Sequence, residues 1–143
     1  MLVDEMKVVL ASNFALYLKA ANFHWNVEGA DFPQYHAFLD NYYNDIYSTI
    51  DRFAEYIRAL NAYTPASFSR FSELSVIEDQ LEQLPTMAMF TELQEDNNDV
   101  LVLMQNTFIT SQSENQQGIA NFLAERIDAM QKHAWMIRSI LKV

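Results

Sequence analysis

The sequence predicts an all-α protein: an antiparallel four-helix bundle with a long connection between its second and third helices. Three observations carry this expectation. The 143 residues include only two glycines and three prolines, so few positions interrupt a helix. Half of the residues are hydrophobic, and apolar side chains recur at helical spacing through four long runs. The length suits a single domain spanning residues 1–143 with a sizeable core, and neither an internal repeat nor a linker divides it.

The first helix is predicted over residues 3–26, with Met6, Val9, Leu10, Phe14, Tyr17, Leu18 and Ala21 on its apolar side. Gly29 breaks it, and Asp31 or Phe32 with Pro33 opens the second helix, which runs unbroken to about Asn61. From 62 to 85 the pattern weakens, and 65–74 fits a short helix within a crossover. The third helix follows Pro85, with Thr86 as its cap candidate, and ends near Ser111. The polar stretch 111–117 is a loop or a helix entry. The fourth helix turns Ile119, Phe122, Leu123, Ile127, Met130, Ala134, Ile137 and Leu141 towards the core.

Nineteen acidic residues against nine basic give a net charge of −10. Such a field opposes phosphate backbones and anionic membranes and favours cations. Neither terminus carries a Lys/Arg-rich arm, so DNA binding is expected to be weak or absent. No run approaches the roughly 20 apolar residues of a membrane span, and no signal-like segment is evident. The expectation is a cytoplasmic protein with no membrane partner. The absence of cysteine excludes disulfides and thiolate metal sites.

Five side chains stand out as metal-capable: His24, His36, Asp40, Asp51 and Glu55. The last four fall at i, i+4, i+15 and i+19 of the second predicted helix, in two i,i+4 pairs that share one stripe. Asp40 and Asp51 are about three turns apart, roughly 16 Å at ~1.5 Å per residue, so one ion cannot collect both pairs from a straight helix. Both pairings, 36 with 55 and 40 with 51, share a midpoint between Asp45 and Ile46. Two copies crossing antiparallel on a two-fold axis there would bring His36 towards Glu55 of the second copy, and Asp40 towards its Asp51. Taken singly, each pair reads as an ordinary surface feature, with Arg52 and Arg58 near enough to balance the acids. The conjunction of the pairs with His24 is what points to metal. Met130 and Met136 read as core filler, Trp25 and Trp135 as buried aromatics, and His133 as a late-helix cation suited to the dipole.

Imidazoles and carboxylates without thiolate suit iron, zinc or manganese. Carboxylates stabilise Fe³⁺, so open positions on such a site favour oxidation of Fe²⁺. No glutamate stands three residues before any histidine, which argues against the Glu-x-x-His di-iron centre of single-subunit bundles.

At these residues the chain resembles the Dps family of mini-ferritins within the ferritin-like superfamily. The resemblance rests on Asn22-Phe23-His24-Trp25-Asn26-Val27-Glu28-Gly29-Ala30-Asp31-Phe32, on His36 and Asp40, and on Asp51-Arg52-Phe53-Ala54-Glu55-Tyr56-Ile57-Arg58. It extends to Ala124-Glu125-Arg126-Ile127 and Lys132-His133-Ala134-Trp135-Met136-Ile137-Arg138. It implies a ferritin-like four-helix bundle with a short extra helix in the second-to-third crossover, assembled as a homo-oligomeric hollow cage of twelve subunits. It further implies a ferroxidase: His24, His36 and Asp40 of one subunit with Asp51 and Glu55 of its two-fold mate bind Fe²⁺, which hydrogen peroxide oxidises, and the ferric mineral is stored inside. Zinc or manganese are conceivable substitutes. The rival readings are a non-catalytic divalent-metal cage and a DNA-protecting protein with incidental iron binding. Where the family often places aspartates at an entry pore, this chain offers Gln112, Gln117 and Asn121, with Glu114, Glu125 and Asp128 the nearby acids.

Overall fold

A computed structural model describes residues 1–142. Six helices follow one another: α1 (Leu2–Asn26), α2 (Phe32–Tyr47), α3 (Ile50–Ala59), α4 (Phe68–Leu74), α5 (Thr86–Ser113) and α6 (Gln117–Leu141). No strand forms among the described residues. α1 packs against α2 and α5, and α5 against α6, so the bundle expected from the sequence is observed.

The second predicted helix is not continuous. It is broken at Ser48–Thr49 into α2 and α3. The Ser48 hydroxyl donates to the Asp45 carbonyl at 2.7 Å, and the Thr49 hydroxyl to the Ile46 carbonyl at 2.7 Å. Hydroxyls that compete for helical carbonyls loosen the i→i−4 ladder. The Thr49 amide accordingly bonds to Ile46, three residues back, rather than four. Buried Asn13 of α1 donates its amide to the Thr49 oxygen at 3.2 Å and fixes the break to the core. Ser48 and Thr49 both keep right-handed helical dihedrals, so α3 continues the course of α2.

With glycine scarce, asparagine ends two helices. Asn61 (φ 65°) and Asn115 (φ 58°) are left-handed. In each case the following amide bonds back five residues, Ala62 to Ile57 and Gln116 to Ser111, while the asparagine amide bonds back three. This is the Schellman arrangement with asparagine in the usual glycine position. α5 therefore reaches Ser113, two residues past the predicted stop. Thr86 does not cap α5; Pro85 takes that position and the Thr86 hydroxyl donates to the Glu28 carbonyl at 3.1 Å. The short crossover helix is present as α4, capped by Ser67, whose oxygen accepts the Arg70 amide.

The core joins Met6, Leu10, Leu16 and Phe23 of α1 to Leu39, Tyr42 and Ile46 of α2, Phe53 and Ile57 of α3, Phe90, Leu93 and Met104 of α5, and Phe122, Met130 and Ile137 of α6. Burying a side chain of this size contributes about 1.5–3 kcal/mol. Leu18, assigned to the core from its spacing, is exposed, and Phe14 and Tyr17 pack only partly, because α1 carries a second aromatic stripe facing α2 and α4. Trp25 and Trp135 are likewise exposed on this subunit (63% and 54%) rather than buried.

Candidate metal centre

Two of the predicted ligands, His24 and His36, meet where α1 ends and α2 returns. Gly29 makes the reversal with φ +117°, a conformation that side chains rarely adopt, and the Phe32 amide closes the turn onto the Gly29 carbonyl. His24 then lies across from His36. The Nδ1 of each ring meets the other residue's backbone carbonyl, His24 to His36 at 2.8 Å and His36 to His24 at 2.7 Å. A carbonyl only accepts, so Nδ1 carries a proton in both rings, and in the neutral form of either ring Nε2 keeps its lone pair. Hydrogen-bonding one ring nitrogen in this way fixes the tautomer and orientation that a metal ligand needs. The rings stack with centroids 3.8 Å apart and 15° between planes.

Asp40 lies one turn beyond His36 on α2. Its Oδ1 lies 3.8 Å from His24 Nε2. When the ring is neutral, Nε2 and Oδ1 are two facing acceptors. The separation is too long for a hydrogen bond, yet an ion with bonds of about 2.1 Å to both atoms spans it. Asn44, one further turn on, donates to the Asp40 carboxylate at 3.1 Å. His24 is nearly buried, whereas the Asp40 side chain is half-exposed, so the cluster opens to solvent on the carboxylate side.

Asp51 and Glu55 lie one turn apart on α3, and both are exposed. They do not join the histidines within one chain: among the described residues no three His, Asp or Glu side chains converge closely enough to hold an ion. The neighbouring arginines do not neutralise them either. Arg52 lies 4.2 Å above the Phe122 ring and 3.7 Å from Glu125, and Arg58 stacks on Tyr63 and donates to the Ala62 carbonyl. Among the described residues neither Asp51 nor Glu55 has an ion-pair partner, and the two carboxylates lie on one face of α3.

Two charged clusters were not apparent from the sequence. Asp45 of α2 accepts from both terminal guanidinium nitrogens of Arg126 (3.2 and 2.8 Å) and lies 2.7 Å from His133 Nε2. Partial burial pushes the Asp45 carboxyl up, but the bonds to His133 and Arg126 and their charges outweigh it and hold it well below the usual carboxylate range. His133 therefore has a specific partner and is not merely a dipole-compensating cation. The signal was the seven-residue spacing of Arg126 and His133, which puts both on one face of α6. In the second cluster, buried Lys19 donates to Asp96 at 2.7 Å and makes an ion-pair contact with Glu92 at 2.9 Å. Burial lifts the Asp96 carboxyl above its usual value, and the charges of Glu92 and Asp99 add to this against the opposing pull of Lys19.

At the other end of the bundle Gln112, Gln117 and Asn121 line one open pocket of about 430 Å³ together with Phe108, Ala120 and Ala124. The amides singled out in the sequence therefore meet in space, at the α5–α6 turn.

The fold defines a class. The sequence matches the ferritin-like domain family over residues 4–143, and the chain belongs to that family. Dps proteins are its close structural neighbours. Crystal structures of Dps from Staphylococcus aureus (TM-score 0.95, 23% identity, 99% of this chain and 95% of that one) and from Thermosynechococcus elongatus (TM-score 0.96, 19% identity, 99% and 90%) superimpose on it. So does that of Vibrio cholerae (TM-score 0.94, 23% identity, 99% and 89%), described as one of the ferritin-like diiron-carboxylate proteins. Among curated sequences, DNA protection during starvation protein 2 of Bacillus anthracis is 25% identical over 139 residues, 97% of this chain and 95% of that protein. No helix is long and apolar enough to cross a membrane among the described residues.

Proposed function

We propose that this protein is a ferroxidase and iron store of the Dps type, acting in the cytoplasm as a homo-oligomeric cage with its metal sites shared across two-fold interfaces. The observation that carries the reading is the reciprocal pinning of His24 and His36. It leaves Nε2 of each neutral ring available as a ligand, that of His24 3.8 Å from the half-exposed Asp40 carboxylate. Asp51 and Glu55 of a second copy, unpaired on their own subunit, supply the remaining oxygen ligands. Such a set binds Fe²⁺ and, through its carboxylates, favours Fe³⁺. Two Fe²⁺ each give one electron to hydrogen peroxide, which takes up two protons and leaves as two waters. The ferric product is stored as mineral.

DNA compaction is the weaker reading, because a net charge of −10 opposes a phosphate backbone. The names of DNA-protecting relatives belong to those proteins.

The test is anaerobic loading with Fe²⁺ followed by stoichiometric peroxide in a stopped-flow instrument, with native mass measured on the same sample. Fast oxidation in a particle of about twelve subunits is the expected result. A cage that binds iron but oxidises it no faster than buffer refutes the ferroxidase reading and favours a passive metal-binding cage.

A further inference from the structure

The break at Ser48–Thr49 separates the two predicted ligand pairs: His36 and Asp40 precede it on α2, and Asp51 and Glu55 follow it on α3. Its backbone departs from the α-helical values of about −63° and −42°. Ser48 has ψ −16°, and Thr49 has φ −101° and ψ −9°. The joint is held at three points. The Ser48 hydroxyl donates to the Asp45 carbonyl, which the Thr49 amide has given up for that of Ile46. The Asp45 side chain is bound to Arg126 and His133 of α6. From α1, the Asn13 amide donates to the Thr49 hydroxyl oxygen. Asn13 is completely buried, and its own carbonyl oxygen has no hydrogen-bond partner among the described residues. Leucine would fill that position without leaving a buried acceptor unpaired, so what the amide contributes is its bond to Thr49.

We propose that this clamped joint sets the rotation of α3 relative to α2, and that Asn13, acting through Thr49, is a positioning residue for the metal site; the inference rests on the ferroxidase reading and its two-fold arrangement above. In that arrangement α2 and α3 of each copy face α3 and α2 of the other. The angle between the two ligand pairs within one chain therefore fixes how carboxylates meet histidines across the interface. A residue wound at 3.0 rather than 3.6 residues per turn rotates the following helix by about 20° more. A carboxylate oxygen on the order of 6 Å from the helix axis then moves by roughly 2 Å, the length of a metal–ligand bond. Healing the joint into a regular helix shifts Asp51 and Glu55 together by that amount. His24 and His36 keep their places, because the Gly29 turn and the two Nδ1 bonds that fix them lie at the other end of α2.

The test uses the whole assembled protein. Asn13→Leu with Thr49→Val removes the clamp and replaces both polar partners by apolar groups of similar volume. Thr49→Ser keeps the hydroxyl and is the conservative control. Co²⁺ is titrated as a stand-in for Fe²⁺, because its visible absorption reports the number and geometry of its ligands, and peroxide-driven Fe²⁺ oxidation is followed by stopped flow. The double variant, with particle mass and helix content unchanged, should show an altered Co²⁺ spectrum. It should also oxidise saturating Fe²⁺ roughly 100-fold more slowly, the cost of misplacing a reacting group by about an ångström. Thr49→Ser should match the unmodified protein in both readings. If the double variant does not assemble, Ser48→Ala at its exposed position decides: a change in both readings is expected, and none overturns the proposal. An unchanged Co²⁺ spectrum in the double variant, whatever its oxidation rate, overturns the positioning role and leaves the ferroxidase reading standing, as does Thr49→Ser impaired to the same degree. Absence of fast oxidation in the unmodified protein overturns the ferroxidase reading, while the Co²⁺ comparison still decides the joint.

Discussion

Replacing Asp45 by alanine removes the only side-chain acceptor that Arg126 and His133 have among the described residues, at the α2–α6 contact. The side chain of Arg126 is 7% exposed and that of His133 14%, while that of Asp45 is 35% exposed. The Arg126 Nε is already buried without a partner. Stripping the carboxylate from a fully buried pair costs about 3–5 kcal/mol, because a charge is left uncompensated. Water reaching the vacated, partly open Asp45 position solvates part of the guanidinium, which lowers the expectation to about 2–3 kcal/mol. At roughly 4 °C per kcal/mol for a chain of this size, the unfolding midpoint should fall by about 8–12 °C. The decisive comparison is the double variant Asp45→Ala with Arg126→Met, measured by thermal circular dichroism at equal protomer concentration. Since the cost lies in the orphaned cation, the double variant should be more stable than Asp45→Ala alone. If it is equally or less stable, the charge-pair account is wrong and the loss reflects packing. The pH dependence has a fixed sign. The folded carboxyl titrates well below its unfolded range, so the pair's stabilisation is complete at neutral pH. It is lost as pH falls below about 4 towards the lower folded value.

The other expectations concern the site and its access. Asp51→Ala with Glu55→Ala should abolish fast peroxide-driven iron oxidation while leaving helix content and particle mass unchanged, because both carboxylates are exposed and unpaired on their own subunit; an unaltered oxidation rate would remove them from the site. Gly29→Ala forces a side chain into φ +117° and should cost about 1–3 kcal/mol in thermal stability. It should also weaken Fe²⁺ binding measured calorimetrically, since the same turn sets His36 against His24. Gln112→Glu with Asn121→Asp, placed in the α5–α6 pocket, should accelerate Fe²⁺ uptake at low salt if cations pass there, and the gain should shrink as salt is raised. No change in uptake would dissociate that pocket from iron entry.

The helices, their order and the short crossover helix were legible in the sequence because apolar periodicity and the scarcity of breakers are local properties. So was the identity of the candidate ligands: His36 and Asp40 sit one turn apart by covalent spacing, as do Asp51 and Glu55. What only the tertiary structure decided involves partners distant in the chain. The break at Ser48–Thr49 depends on hydroxyls turned inward and on Asn13 from another helix, neither of which leaves a periodic signature. Trp25 and Trp135 proved exposed because hydrophobicity does not specify which side of a helix faces the core. The pairing of Asp45 with Arg126 and His133, and of Lys19 with Asp96, spans most of the fold. Above all, the sequence named two histidines, but only their juxtaposition fixed their chemistry. Each ring gives its Nδ1 proton to the other residue's carbonyl, and a tautomer is set by a neighbour in space, not by a neighbour in sequence.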